Sequence, residues 1–354
     1  MKKLSSLLII LLITGCSYVQ TVKNWWEPTP PAAQMMPSKI KIGYVPVLVS
    51  APLFVAQEEG WIAAEKLDVE LVRYGSGAQL NQGVLAGDVD VVIAPITTSL
   101  VAKSSGVEFP AVAALGEQQM VFVARGEFAT LFKNKNFKQA AEELQHLALR
   151  KPKIGTFLRG GITDIVTRKW LAQTQGMSED DVEIIYFNVD QMEQAFMAGN
   201  IDAAIVWEPM RQILNQKAQG IYIIAQGEEL YPRQAGVVMM VSRNMIQKHP
   251  EKVEKLVAVN HRAVNFIKEN PQKAAVDSHK YVATGLLSAA AIEQLVTAST
   301  GAFFDNPRDL FASTEILQQD MVNYGTLSAK VDLKGVINTS FYDRVINPAV
   351  ARKN

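Results

Sequence analysis

From Lys39 onward, short apolar runs alternate with stretches of helical periodicity. "KIKIGYV" (39–45), "DVELVRY" (68–74) and "VDVVIAP" (89–95) are brief and rich in β-branched residues, which predicts strands. Between them, "SAPLFVAQEEG" (50–60) and "GAQLNQGVLAG" (77–87) repeat apolar positions at helical spacing and stop at Gly60 and Gly87. Ser50 is placed to cap the first of these helices, which carries Pro52 in its first turn. Strand, helix, strand, helix, strand predicts parallel pairing with helices on the sheet faces.

The pattern then repeats. Ile42-Gly43 recurs as Ile154-Gly155, an offset of 154 − 42 = 112, and "AGDVDVVI" from Ala86 recurs as "AGNIDAAI" from Ala198, again 112 apart. "DVE" at Asp68 recurs at Asp181, an offset of 113. Parallel α/β units resemble one another in general, but a shared offset across three matches predicts two units of one design. Asp190 and Glu193 are spaced as a capping box for the helix "QMEQAFMAG". "AGVVMMVS" (235–242) reads as a strand crossing back to the first unit. Beyond Val241 the chain is mostly helical, beginning with the amphipathic 250–270, and these helices are expected to cover mainly the first unit. The resulting organisation is α/β with two lobes: 39–125 in lobe I, 126–234 in lobe II, and 235–354 returning to lobe I.

In open α/β sheets ligands bind beyond the carboxyl ends of the strands. In the first unit those ends hold Val47 to Ser50, Ser76, Gly77, Pro95, Thr97 and Thr98; in the second, Thr156 to Thr163, Asn188, Trp207 and Glu208. The stretch "PKIGTFLRGGITDIV" (152–166) nearly scans as a phosphate loop through Gly155 and Gly160. However, Gly161 and Ile162 stand where that motif needs Lys and then Ser or Thr. A glycine-led helix start can still hold a small anion: Gly160 and Gly161 admit a ligand to the backbone, Thr163 adds a hydroxyl and Arg159 a charge-assisted contact. The plainer alternatives are a tight turn and a solvated loop arginine. Trp207 is a candidate pocket wall. Glu208 either accepts from a ligand ammonium or sits in the first turn of a helix begun by Pro209. Arg159 and Glu208 pull opposite ways, so the ligand's charge stays open.

The first forty residues carry a different signal. Lys2 and Lys3 precede an apolar run, Leu7 to Ile13, that is too short to span a bilayer. It ends "LITGC", and Cys16 is the only cysteine in the chain. This resembles a bacterial lipoprotein signal (1–15), cut before a cysteine that receives diacylglycerol; the alternative is an ordinary export signal with a stray cysteine. Residues 16–38, with four prolines and no apolar period, read as a tether. Trp25 and Trp26 lie in that tether, as lipid contacts or as plain linker.

Composition narrows the function. The chain has 354 residues, 48% of them hydrophobic, enough for two cores. With 35 residues of each sign the net charge is zero, and no basic field invites nucleic acid. The four histidines, His146, His249, His261 and His279, fall at no predicted strand end, and HExxH, GxSxG and paired cysteines are absent from the sequence. The reading is binding without catalysis, and without a metal or cofactor.

"KIGYVPVLVSAPLFVAQEEGWI", "SGAQLNQGVLAGDVDVVIAP", "IGTFLRGGITDIVTRKWLAQTQGMSEDDVEII", "MAGNIDAAIVWEP" and "SFYDRVINPA" together resemble the periplasmic solute-binding proteins of the nitrate/sulfonate/taurine importer class, which also includes binding proteins for thiamine pyrimidine precursors. The resemblance runs from about Lys39 to the C-terminus. It implies the two-lobed type II periplasmic-binding fold, a small-molecule ligand in the cleft, an ABC permease as partner and a monomer. Residue by residue it points to Ser50, Ser76, Gly77, Thr97, Gly161, Thr163 and the "WEP" of Trp207 to Pro209. Sulfonate binders often carry a Ser just before the second-lobe helix, where this chain has Gly-Gly-Ile-Thr. The expectation is a lipid-anchored extracytoplasmic receptor of an ABC importer. The alternatives are a sensor or assembly lipoprotein that keeps the fold, and an enzyme like the fungal thiamine-pyrimidine synthases, against which export and histidine placement both argue.

Overall fold

The computed structural model describes residues 39–347 apart from 118, 219 and 233. The expected signal, Cys16 and the tether lie outside the described residues. Among those described, no helix is long and apolar enough to cross a membrane.

Ten strands form two five-stranded sheets. In chain order they are β1 (Ile40–Tyr44), β2 (Val69–Arg73), β3 (Val91–Pro95), β4 (Ala111–Gly116), β5 (Met120–Ala124), β6 (Lys153–Thr156), β7 (Glu183–Tyr186), β8 (Ala203–Trp207), β9 (Tyr222–Gln226) and β10 (Val237–Val241). The first sheet runs β2-β1-β3-β10-β4 and the second β7-β6-β8-β5-β9. These are one pattern written twice: β1, β2, β3 and β4 correspond to β6, β7, β8 and β9. The 112-residue offset is preserved in the strands themselves, since β3 begins at Val91 and β8 at Ala203, 203 − 91 = 112. Ile42 lies between Leu71 and Val91 in the first sheet, and Ile154 between Ile184 and Ala203 in the second.

The fifth member of each sheet is antiparallel. β10 lies between β3 and β4, and β5 between β8 and β9. Each follows directly from the last strand of the other sheet, so the chain crosses twice, between Gly116 and Met120 and between Gln226 and Val237. The return of 235–242 to the first sheet agrees with the sequence reading. The first boundary does not fall at 125: β5 already belongs to the second sheet. "MVFVA" is buried along its whole length and carries no periodicity that would say which sheet receives it.

The repeated Ile-Gly has a packing cause. A Cβ on Gly155 would stand 2.5 Å from Ile201 Cδ1 and 2.9 Å from Met192 Sδ, and one on Gly43 3.0 Å from the Tyr74 ring. Glycine at the centre of each sheet lets neighbouring elements approach closely.

The C-terminal helices pack mainly on the first sheet and its helices. Pro250–Glu269 packs on β4, with Asn260 Nδ2 donating to the Ala114 carbonyl at 2.8 Å, and Phe54 stacks on Tyr281 at 4.7 Å. The helix Phe311–Asn323 reaches the second half as well: Asp320 accepts from Lys169 Nζ and from the Tyr231 hydroxyl, both at 2.7 Å.

Two capping expectations change. Ser50 does precede the helix Ala51–Glu58, but its hydroxyl donates to the Val45 carbonyl at 3.3 Å and makes no cap bond. The capping box of the helix Val189–Ala198 is Asn188 with Gln191; Asp190 sits inside the first turn, and Glu193 pairs with Lys217. The shift by two residues arises because Asn at the end of "IIYFN" already satisfies the free amide of Gln191.

Candidate functional site

The glycine-led helix start is already occupied by the chain itself. Helix Ile162–Gln175 begins after Gly161, whose amide donates to the Leu158 carbonyl at 2.9 Å. Gly160 has φ +74°, and its amide donates to Asp164 Oδ2 at 2.8 Å. Asp164 Oδ1 accepts from Arg168 Nε at 3.0 Å and from the Tyr186 hydroxyl at 2.9 Å, and Arg168 also pairs with Glu179. Asp164 is only 2% exposed, so a buried carboxylate from the helix's own first turn takes the Gly160 amide. Outside it stands Thr326, close enough that a Cβ on Gly160 would meet its side chain at 2.8 Å. The buried Thr163 hydroxyl accepts the Phe157 amide at 3.4 Å, inside the same turn. Arg159 is exposed. The Gly160 and Gly161 amides that the sequence offered to a ligand are thus taken within the turn, and the signal for this was the Asp164–Arg168 pair one helical turn apart.

On the first half, Ser76 caps the helix Gly77–Ala86 by accepting the Gln79 amide at 3.3 Å, and Gly77 is half-buried beside it. Thr97 and Thr98 are buried at the start of the helix Thr97–Ser104.

Trp207 and Glu208 are different. β8 ends at Trp207, which stacks on Phe157 with ring centroids 4.2 Å apart. The Glu208–Pro209 peptide is cis, and the helix Met210–Lys217 follows. Glu208 is 8% exposed; its Oε1 pairs with Arg211 Nε, while its Oε2 is buried with no hydrogen-bond partner. Its carbonyl accepts the amide of Leu48, from the loop after β1, at 3.2 Å.

Glu208 lines two adjoining spaces. One is a cleft of about 580 Å³, gathered where β4 gives way to β5 and β9 to β10, with Glu117, Gln119, Arg211, Glu228 and Gln234 among its walls. The other is a narrow recess of about 10 Å³, room for one water-sized group, walled by Val47 to Val49, Trp207, Phe303 and the Glu117 and Glu208 side chains. Gln234, also 8% exposed, donates through Nε2 to the Gly227 carbonyl at 3.2 Å and leaves Oε1 buried without a partner. Gln119 accepts from the Ser299 hydroxyl at 2.7 Å. Glu117 stands exposed at the rim, where partial desolvation, and then the charge of Glu228, push its carboxyl up from the usual range. Of the sequence candidates, Trp207 and Glu208 line these spaces together with the strand-end residues Val47 to Val49; Glu117 and Gln234 were not singled out because they lie in the crossings, which carry no motif. Among the described residues no group of three or more His, Cys, Asp or Glu could hold a metal ion.

The comparisons with known proteins agree with this architecture. The sequence profile of the NMT1-like family matches residues 33–282. A Bacillus subtilis protein named for binding aliphatic sulfonates is 25% identical over 318 residues, covering 87% of this chain and 88% of that protein. Among solved structures, the periplasmic nitrate-binding protein NrtA of Synechocystis superposes with a TM-score of 0.74 at 16% identity, over 88% of this chain and 89% of that one. The alkanesulfonate-binding protein SsuA of Xanthomonas axonopodis, bound to MOPS, gives 0.71 at 17% identity, over 86% and 99%. At such identities the likeness is one of fold, the two-lobed periplasmic-binding fold.

Proposed function

The chain belongs to the NMT1-like family, and from that premise we propose that it is an extracytoplasmic solute receptor of an ABC importer, held at a bacterial membrane by lipid on Cys16. It binds and does not catalyse. Its proposed lobes are 39–116 with 237–347 around the first sheet, and 120–234 around the second. The observation that carries the reading is the doubled sheet order, with a cleft at the two crossings where a hinge would lie. Solute contacts made from both halves favour a closed state, and the permease recognises that state. Trp207 and Glu208 are the proposed contacts from the second half, and the loop 47–49 from the first. Lipidation keeps the monomeric receptor beside its permease.

Two measurements test this. The full chain, expressed in bacteria fed radiolabelled palmitate, is expected to take up label, and Cys16→Ala to lose it; an unlabelled native chain refutes the anchor. Native mass spectrometry of the detergent-purified chain is expected to reveal a co-purified small mass or reversible binding of added solute without turnover. Conversion of that solute to product would overturn the receptor reading.

A further inference from the structure

The cleft is lined by side chains that leave buried acceptors without partners. Two acceptor oxygens on its walls, Glu208 Oε2 and Gln234 Oε1, belong to side chains more than nine-tenths buried and have no partner. A buried oxygen left without a hydrogen bond is costly, so such atoms commonly await a ligand or water donor. Among the described residues lining the cleft are the carboxylates Glu117 and Glu208, and Arg211 pairs through Nε with Glu208. The Ser299 hydroxyl hydrogen is likewise spent, on Gln119. The same cleft presents Met120, Val121, Ile223 and Leu295, apolar surface for the carbon of a cationic group.

Resting on the receptor reading above, we propose that the solute is a small organic ammonium, a primary or secondary amine protonated at neutral pH. Its N–H groups meet Glu208 Oε2 and Gln234 Oε1, and its carbon lies against the cleft's apolar wall of Met120, Val121 and Leu295. Nitrate or a sulfonate, the ligands in the names of the similar proteins, would place negative charge beside the unpartnered Glu208 Oε2 and near Glu117, and at the helix start Asp164 already takes the amide of Gly160. Among the described residues no group of three or more His, Cys, Asp or Glu could hold a metal ion there.

The test uses the full chain in nonionic detergent, dialysed free of solute, with n-butylammonium, butanesulfonate, nitrate and neutral 4-aminopyrimidine as probes. Butylammonium is expected to raise the melting temperature and to give saturable heat by calorimetry, while the other three do neither. Glu208→Gln is expected to weaken butylammonium at least about tenfold, the range seen when one partner of a buried charged contact is lost. Glu117→Gln, at the exposed rim, keeps the fold if Glu208→Gln does not, and is expected to weaken it severalfold at low salt. A response to butanesulfonate, nitrate or aminopyrimidine alone overturns the ammonium assignment and leaves the receptor reading standing. Butylammonium bound equally by both variants also overturns it. If no probe binds and no mass co-purifies, the receptor reading itself fails.

Discussion

The Leu48 amide donates to the Glu208 carbonyl at 3.2 Å, tying the loop after β1 in the first sheet to the loop after β8 in the second. Both residues also wall the recess, so this bond between the two halves, which Asp320 also links through Lys169 and Tyr231, borders the proposed site. A receptor that closes on its solute needs such a contact to be weak, and one backbone hydrogen bond contributes only about 1 kcal/mol.

Leu48→Pro removes that donor. Val47 already has extended backbone, as the residue before a proline requires. Compared with Leu48→Ala, which keeps the amide, the proline variant is expected to shift the open-to-closed ratio by about fivefold, the equivalent of about 1 kcal/mol. Small-angle scattering with and without solute reads this directly. Identical scattering from both variants would show that the bond does not hold the halves together.

Asp164 anchors the helix start through the Gly160 amide, Arg168 and Tyr186. Asp164→Ala leaves a buried arginine with one carboxylate fewer, and is expected to cost about 3–5 kcal/mol in denaturant unfolding. Asp164→Asn keeps an acceptor for Gly160 and is expected to cost less. Equal losses would mean that charge, and not the Gly160 bond, is what matters.

Glu117 gives a pH signature in the solute-free protein. Its carboxyl is raised above the ordinary 4.5 by desolvation and by Glu228, with Glu208 and its partner Arg211 also facing the cleft. A carboxyl whose folded pKa is raised opposes folding when ionised, above its folded pKa, and ceases to do so as pH falls toward its unfolded value. Glu117→Gln is therefore expected to raise the melting temperature slightly at pH 7, by about 1 °C, and to match the native chain near pH 4. A destabilised variant at pH 7 would contradict that sign.

Gly155→Ala places a methyl 2.5 Å from Ile201 and 2.9 Å from Met192, so overpacking of about 1–3 kcal/mol is expected. Gly43→Ala, with its nearest neighbour at 3.0 Å, is expected to cost less. Thermal denaturation of both separates the two; the reverse order would mean that the repeat's glycines serve something other than packing.

The local physics of the chain sufficed for a good part of this protein. Apolar period and glycine stops located β1, β2 and β3 and the helices between them, and the 112-residue offset announced two units of one strand order, because residues that meet within one unit are close along the chain. It also marked Trp207 and Glu208 at the end of β8. Tertiary structure decided the rest. The sheet that takes β5 depends on partners some 80 residues away in β8, for which "MVFVA" holds no local cue. Asp164 takes the Gly160 amide through side-chain geometry that spacing alone does not specify. The acceptor-lined cleft arises from Glu117, Glu208 and Gln234, residues of separate loops that become neighbours only when the chain crosses twice between its sheets.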